Sequence, residues 1–200
     1  MTLKLNIIIG STRPGRIGPV IAEWLKDTAV EHGKFAVELV DLADFHLPLL
    51  DEAAHPASRQ YANPRTKRWS ASVNSADAYL FLTPEYDYFA PAALVNAVQV
   101  LLQEWLYKPA GVLSYGGVSG GLRSAQVLRQ LLSNVNVHAL PQVVPVHSFS
   151  QFIDNGVFRP NQRIQDGANG LLDELYKWAR ALSNLRAEQA ADRATQNAAA

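Results

Sequence analysis

The chain has 200 residues, 48% of them hydrophobic, with 18 basic side chains balancing 18 acidic ones and no cysteine. The length suits one domain with a real core, the zero formal charge argues against a partner that is nucleic acid, and the apolar content excludes an acidic disordered chain. Without cysteine there is no disulfide framework, thiolate metal site or cysteine nucleophile, so electrons in any redox chemistry must sit on a bound group.

The first apolar run, Ile7 to Ile9, is too short for a signal-peptide core. No stretch approaches the roughly 20 apolar residues that span a bilayer, so no membrane insertion is expected and the cytoplasm is the expected compartment. Leu5 to Ile9 reads as a strand that ends in a polar turn at Gly10. From Gly18 to His32, Val20, Ile21, Trp24 and Leu25 recur at helical spacing, with Gly33 as a stop. Phe35 to Leu42 reads as a second strand with Asp41 at its end, followed by a loop holding the apolar patch Leu47 to Leu50. Ser58 to Ser75 suggests a helix that Pro64 breaks or delays. Ala78 to Leu82 is a third strand, and Ala90 to Leu106 a helix that is apolar nearly all round, with Glu104 its only charge. Ala110 to Ser114 is a fourth strand and Leu122 to Leu132 a helix. Either Val135 to Ala139 or Val143 to Val146 supplies a fifth strand, and Ile164 to Leu185 a last helix. Residues 1–186 then form one domain, and the alanine-rich tail 187–200 is expected to fray or be disordered.

Strands alternating with helices predict an α/β fold, a doubly wound open sheet with helices on both faces. Ligands of such sheets bind beyond the carboxyl ends of the strands, at the switch point. The loops after strands one, three and four carry unusual chemistry there.

The first loop, Gly10 to Gly18, brings Ser11, Thr12, Arg13 and Arg16 to a helix start, where free N–H groups and the helix dipole favour an anion. Arg16-Ile17 stands where a Walker A loop needs Lys-Ser/Thr, and Thr12 where a dinucleotide fingerprint needs its second glycine. Asp41 lies far along the chain for a ribose-binding carboxylate. A single terminal phosphomonoester suits the loop better. The second loop, Thr83 to Pro91, interleaves Tyr86, Tyr88 and Phe89 with prolines and acids. It suits a planar heterocycle, unless its aromatic residues merely cap the core. The third, Ser114 to Gly121, has four glycines and allows close backbone approach. Its Gly117-Val118-Ser119-Gly120-Gly121 matches a nucleophile elbow, but no histidine follows Asp154 to complete a triad in hydrolase order. The five histidines are scattered, so no metal site is expected.

Taken in order, Gly10-Ser11-x-Arg13, Pro84-Glu85-Tyr86 and Ser114-Tyr115-Gly116-Gly117-x-x-Gly120-Gly121 resemble the NAD(P)H-dependent FMN reductase family over residues 3–146. That flavodoxin-like group includes quinone and azo-dye reductases. The resemblance implies a five-stranded parallel sheet of order 2-1-3-4-5. It also implies bound FMN as cofactor, with NADPH or NADH as electron donor and a small-molecule acceptor. Ser11, Arg13, Arg16, Ile17 and Gly18 would hold the FMN phosphate, and Pro84, Glu85 and Tyr86 would line the isoalloxazine. Ser114, Gly116 and Gly117 would approach its pyrimidine edge, with Tyr115 and Asp87 also in the site. The flavin would carry the hydride, with no catalytic side chain. Asp87, where many members have asparagine, would repel a reduced flavin unless turned away or paired.

A different class of function keeps the flavin without NAD(P)H turnover: a binding or electron-transfer module. The apolar run Ala90 to Leu106 and the patch Leu47 to Leu50 predict a homodimer or homotetramer.

Overall fold

A computed structural model describes residues 2–199, giving only the backbone course for residues 190 and 192–199. The ends of the expected domain and tail, Met1 and Ala200, lie outside the described residues. Five parallel strands make one sheet, β1 (Leu3–Ile9), β2 (Phe35–Asp41), β3 (Ala78–Pro84), β4 (Pro109–Tyr115) and β5 (His138–Val146), in the order β2-β1-β3-β4-β5. This is the flavodoxin-like order, and its switch point falls between β1 and β3. The described residues include no helix long and apolar enough to cross a membrane.

The α-helices among the described residues are α1 (Gly18–His32), α2 (Pro64–Ser75), α3 (Ala92–Gln99), α4 (Leu122–Asn134) and α5 (Gln162–Ala199). The inner strands β1, β3 and β4 are buried almost throughout, as a parallel sheet covered on both faces requires. Leu5, Ile7, Ile9, Leu80, Leu82 and Leu113 pack under α1 and α5. Ile8, Tyr79, Phe81 and Val112 pack on the opposite face, under α2, α3 and α4.

Pro64 sets the helix start as anticipated: α2 begins there, with Asn63 accepting a hydrogen bond from the Arg65 N–H at 2.9 Å. Three expectations are corrected. The apolar helix expected over 90–106 is only Ala92–Gln99. A straight helix that is apolar all round cannot bury every face against one sheet. The chain breaks after Gln99 and folds back, which buries Leu101 and Trp105 within the same chain. Most of the apolar surface that suggested an oligomer is thereby covered. The two candidate fifth strands are one, β5, whose pairing with β4 slips between Ala110 and Val112. The last helix starts earlier than expected and continues over the alanine-rich segment to Ala199, in keeping with alanine's high helix propensity. Between β5 and α5 the chain makes a small hairpin, β6 (Ile153–Asp154) with β7 (Val157–Phe158).

Candidate functional site

Register brings the three loops together. Ile9 pairs with Asp41 on one side and Leu82 on the other, and Thr83 and Pro84 pair with Ser114 and Tyr115. The strands therefore end level, and their loops meet at the carboxyl rim. The Gly10 N–H donates to Leu82 O at 2.9 Å, extending the β1–β3 ladder into the first loop. A Cβ at Gly10 would meet the Leu94 side chain at 2.7 Å and Leu82 O at 3.1 Å, so a larger residue here would have to push Leu94 aside.

The first loop ends in an uncapped helix. Ile17 precedes α1 and offers no side-chain acceptor, and the first turn holds no acidic residue. The positive end of the dipole is left for something else. Arg13 is exposed and has no ion-pair partner among the described residues. Arg16 behaves differently. Its Nη2 is paired with Asp41 Oδ2, and its Nε is buried without a partner. Asp41, judged too distant from sequence spacing, sits at the foot of this loop because β2 lies beside β1. Its other oxygen accepts from the Ala43 N–H at 3.0 Å. It is a counter-ion for Arg16.

Ser11 is fully buried, and its hydroxyl lies 2.8 Å from the Tyr86 hydroxyl. That bond joins the first loop to the second. In the second loop Tyr86 and Phe89 exchange two backbone hydrogen bonds, of 3.0 and 2.9 Å. Asp87 and Tyr88 form the turn between them with φ of 47° and 74°. This is a two-residue hairpin turn made without glycine, and a left-handed backbone costs an ordinary residue about 1–2 kcal/mol. The turn presents Tyr88 and Phe89 to solvent, 61% and 58% exposed, so these rings do not cap the core. Asp87 is exposed at the tip of the turn.

The Glu85 side chain crosses to the third loop. Its Oε1 lies 2.7 Å from both Nε and Nη2 of Arg123, and its Oε2 accepts from the Ser119 hydroxyl at 3.0 Å and the Arg123 N–H at 3.2 Å. The Arg123 guanidinium stacks 4.0 Å from the centre of the Tyr88 ring. Sequence reasoning missed Arg123, although a basic residue directly after Gly121-Leu122 at a helix start was a visible signal. The structure makes Ser119 a donor to Glu85, a carboxylate already paired with Arg123, with no histidine hydrogen-bonded to its hydroxyl among the described residues.

The third loop is held from several sides. Ser114 is buried and donates to Gly120 O at 2.9 Å, so its hydroxyl braces the loop. Gly121 has φ of 79°, and a Cβ there would meet the Tyr115 backbone at 2.8 Å. Gly117 O accepts from the Ser148 N–H at 2.8 Å, and Gly116 O from the Phe149 N–H at 3.2 Å. A Cβ at Gly117 would meet nothing within 4 Å, so this backbone stands open at the rim. Tyr115 points the other way, into the face under α1, and burial pushes its hydroxyl pKa up.

A cleft of about 330 Å³ lies beside the first loop, lined by Thr12, Leu42, Ala43, His46, Leu47 and Ala93. A larger one of about 600 Å³ runs between β5 and α5, past Val144, Asn161 and Ile164 to His147, whose Nδ1 lies 2.8 Å from Val118 O in the third loop. Among the described residues no cluster of His, Asp and Glu could hold a metal ion.

The sequence pattern described as NADPH-dependent FMN reductase matches residues 3–151. The chain is 37% identical over 150 residues to the NAD(P)H-dependent FMN reductase of Saccharomyces cerevisiae, covering 69% of this chain and 78% of that protein. It is 27% identical over 186 residues to a quinone reductase of Pseudomonas putida, covering 88% and 95% of the two. A solved flavoenzyme, an NAD(P)H:(acceptor) oxidoreductase from Paracoccus denitrificans, superposes with a TM-score of 0.67 at 20% identity. That match spans 90% of this chain and 98% of the other, and speaks for the fold alone.

Proposed function

The chain belongs to the NADPH-dependent FMN reductase family, and from that premise we propose that its three-loop rim holds one FMN, phosphate at the start of α1 and ring against the Pro84–Tyr86 segment. It is an oxidoreductase that works with FMN and NAD(P)H. When bound, the flavin supplies acceptance of a hydride from the nicotinamide and passage of electrons to a second substrate. The proposed acceptor is a quinone, an azo compound, a flavin or a similar small molecule.

The observation that carries this reading is the uncapped start of α1 with Arg13 unpaired beside it. Pro19 has no N–H and the Val20 N–H donates to Ile17 O at 3.0 Å, so a phosphate here would take the Gly18 N–H, the positive end of the dipole and charge-assisted hydrogen bonds from Arg13. The chain's own residues do the positioning. The Ser11–Tyr86 bond fixes the distance between the phosphate loop and the ring loop. The Glu85–Arg123 pair ties the ring loop to α4, so the surfaces that would flank the ring form one rigid unit. Gly117 leaves the backbone accessible at the proposed pyrimidine edge, where an N–H stabilises negative charge, while the Gly116 N–H is taken by Val146 O at 3.2 Å. Ser114 contributes by bracing Gly120.

The test begins with colour. The purified chain should carry or take up FMN, and NADPH or NADH should bleach it. A protein with no affinity for FMN sinks the proposal. A yellow protein that neither donor bleaches is an electron-transfer module instead. Steady-state turnover of both donors with quinones, azo dyes and free flavin then identifies the acceptor.

We also propose that a second copy covers the apolar side chains left in solvent at this rim, Leu49, Leu50, Phe89 and Val118. Sedimentation at micromolar concentration should give a dimer or tetramer, and a monomer would overturn this part.

A further inference from the structure

Tyr115 is only 3% exposed, and its ring packs edge-on against Phe149 at 5.6 Å. Its hydroxyl makes no hydrogen bond among the described residues. Its neighbours give the phenol oxygen no partner, although the oxygen is not sealed from solvent, and phenylalanine would fill the same space. Nothing in the packing therefore accounts for the oxygen.

Its position does. A Cβ at Gly18 would stand 3.1 Å from the Tyr115 oxygen and 3.0 Å from Ile9 Cγ2. Gly18 is the first residue of α1, at the uncapped, acid-free helix start. The hydroxyl thus ends directly below the place where an anion would sit, and the missing side chain of Gly18 keeps the path open. Burial keeps the group protonated at any physiological pH, hence a donor. Arg16, whose charge is balanced by Asp41, flanks the same helix start.

We propose that the Tyr115 hydroxyl donates a hydrogen bond to the phosphate monoester of FMN from beneath the start of α1, so that a residue of the glycine-rich loop serves the phosphate end of the site and not the ring end. This rests on the FMN reading above, and the two are separated by using riboflavin, which has the ring and the ribityl chain but no phosphate.

The experiment titrates the full chain, freed of bound flavin, with FMN and with riboflavin. The wild-type chain should bind FMN more tightly than riboflavin; if it binds neither, the FMN reading itself fails. Tyr115→Phe should weaken FMN about tenfold and leave riboflavin affinity and the melting temperature of the flavin-free chain unchanged. Gly18→Ala, which crowds the hydroxyl, should also weaken FMN selectively, and the losses in the double variant should not add. A Tyr115→Phe variant that binds FMN like the wild type overturns the proposal, as does one that loses FMN and riboflavin to the same degree.

Discussion

At the amino end of the sheet, Glu104 is fully buried. Its carboxyl accepts from Ser70 at 2.6 Å, Tyr61 at 3.1 Å and Arg59 at 3.2 Å. Around it Tyr79 donates to Val73 O at 2.8 Å, Lys108 to Val73 O and Asn74 O at 3.0 and 3.1 Å, and Arg186 pairs with Asp77 at 2.7 Å. At the carboxyl end the residue types are similar, but donors are left over: Arg13, the helix start at Gly18 and the Tyr115 hydroxyl. Buried polar groups that satisfy one another fix a structure. Groups held in place without partners await a ligand. The contrast separates two polar clusters that composition alone makes look alike.

The largest effect should come from breaking the closed cluster. Glu104→Ala leaves the Arg59, Tyr61 and Ser70 donors without their acceptor and should cost about 3–5 kcal/mol. In a chain of this length that lowers the melting temperature by about 10 °C. Glu104→Gln, which keeps an acceptor oxygen, should cost less. FMN affinity of the folded fraction should stay as in the wild type. An unchanged melting temperature, or a loss of FMN affinity at full folding, would erase the distinction between the two ends.

The open end should show the reverse pattern. Arg13→Ala should weaken FMN by about 10- to 100-fold, the worth of a charge-assisted hydrogen bond of about 1.5–3 kcal/mol, without moving the melting temperature of the flavin-free chain. Ser119→Ala removes one donor from Glu85, which keeps its contacts with Arg123. It should cost only about 1 kcal/mol of stability and weaken FMN less than Arg13→Ala does. Flavin titration of the two variants checks the ranking, and the opposite order refutes the assignment of the first loop.

The open end was largely legible in the sequence, because its chemistry is local. Gly10 to Gly18, Thr83 to Pro91 and Ser114 to Gly121 each follow a strand directly, and strand alternation places all three on one edge. What the sequence hid were the bonds between loops. Arg16 with Asp41 and Glu85 with Arg123 join positions 25 and 38 residues apart, and only the strand order makes them neighbours. The closed end was almost invisible. Glu104 reads as the one charge on an apolar helix, since its partners lie 34 to 45 residues upstream. The break of that helix after Gln99 depends on how much surface one sheet can cover, which no local propensity encodes.

Lys108 offers the finest test of the closed end. It is 6% exposed, and its amine meets two backbone carbonyls at the end of α2. A neutral amine has two N–H donors, enough for both. Burial, with Arg186 nearby, pushes its pKa down to about 7, against 10.5 for a free lysine. Below pH 7 the amine is protonated in the folded and unfolded states alike, and the folded state bears the desolvated charge. Between pH 7 and about 10.5 the unfolded chain holds the proton while the folded one releases it, so stability rises with pH across that window. The gain from Lys108 between pH 7 and 8 should be about 1 kcal/mol. Chemical denaturation at the two pH values, for the wild type and for Lys108→Met, isolates it, because the other titrating groups cancel in the difference. The wild type should gain on the methionine variant as pH rises. If the two curves stay parallel, the amine carries no desolvated charge, and the closed end is more open to water than its hydrogen bonds imply.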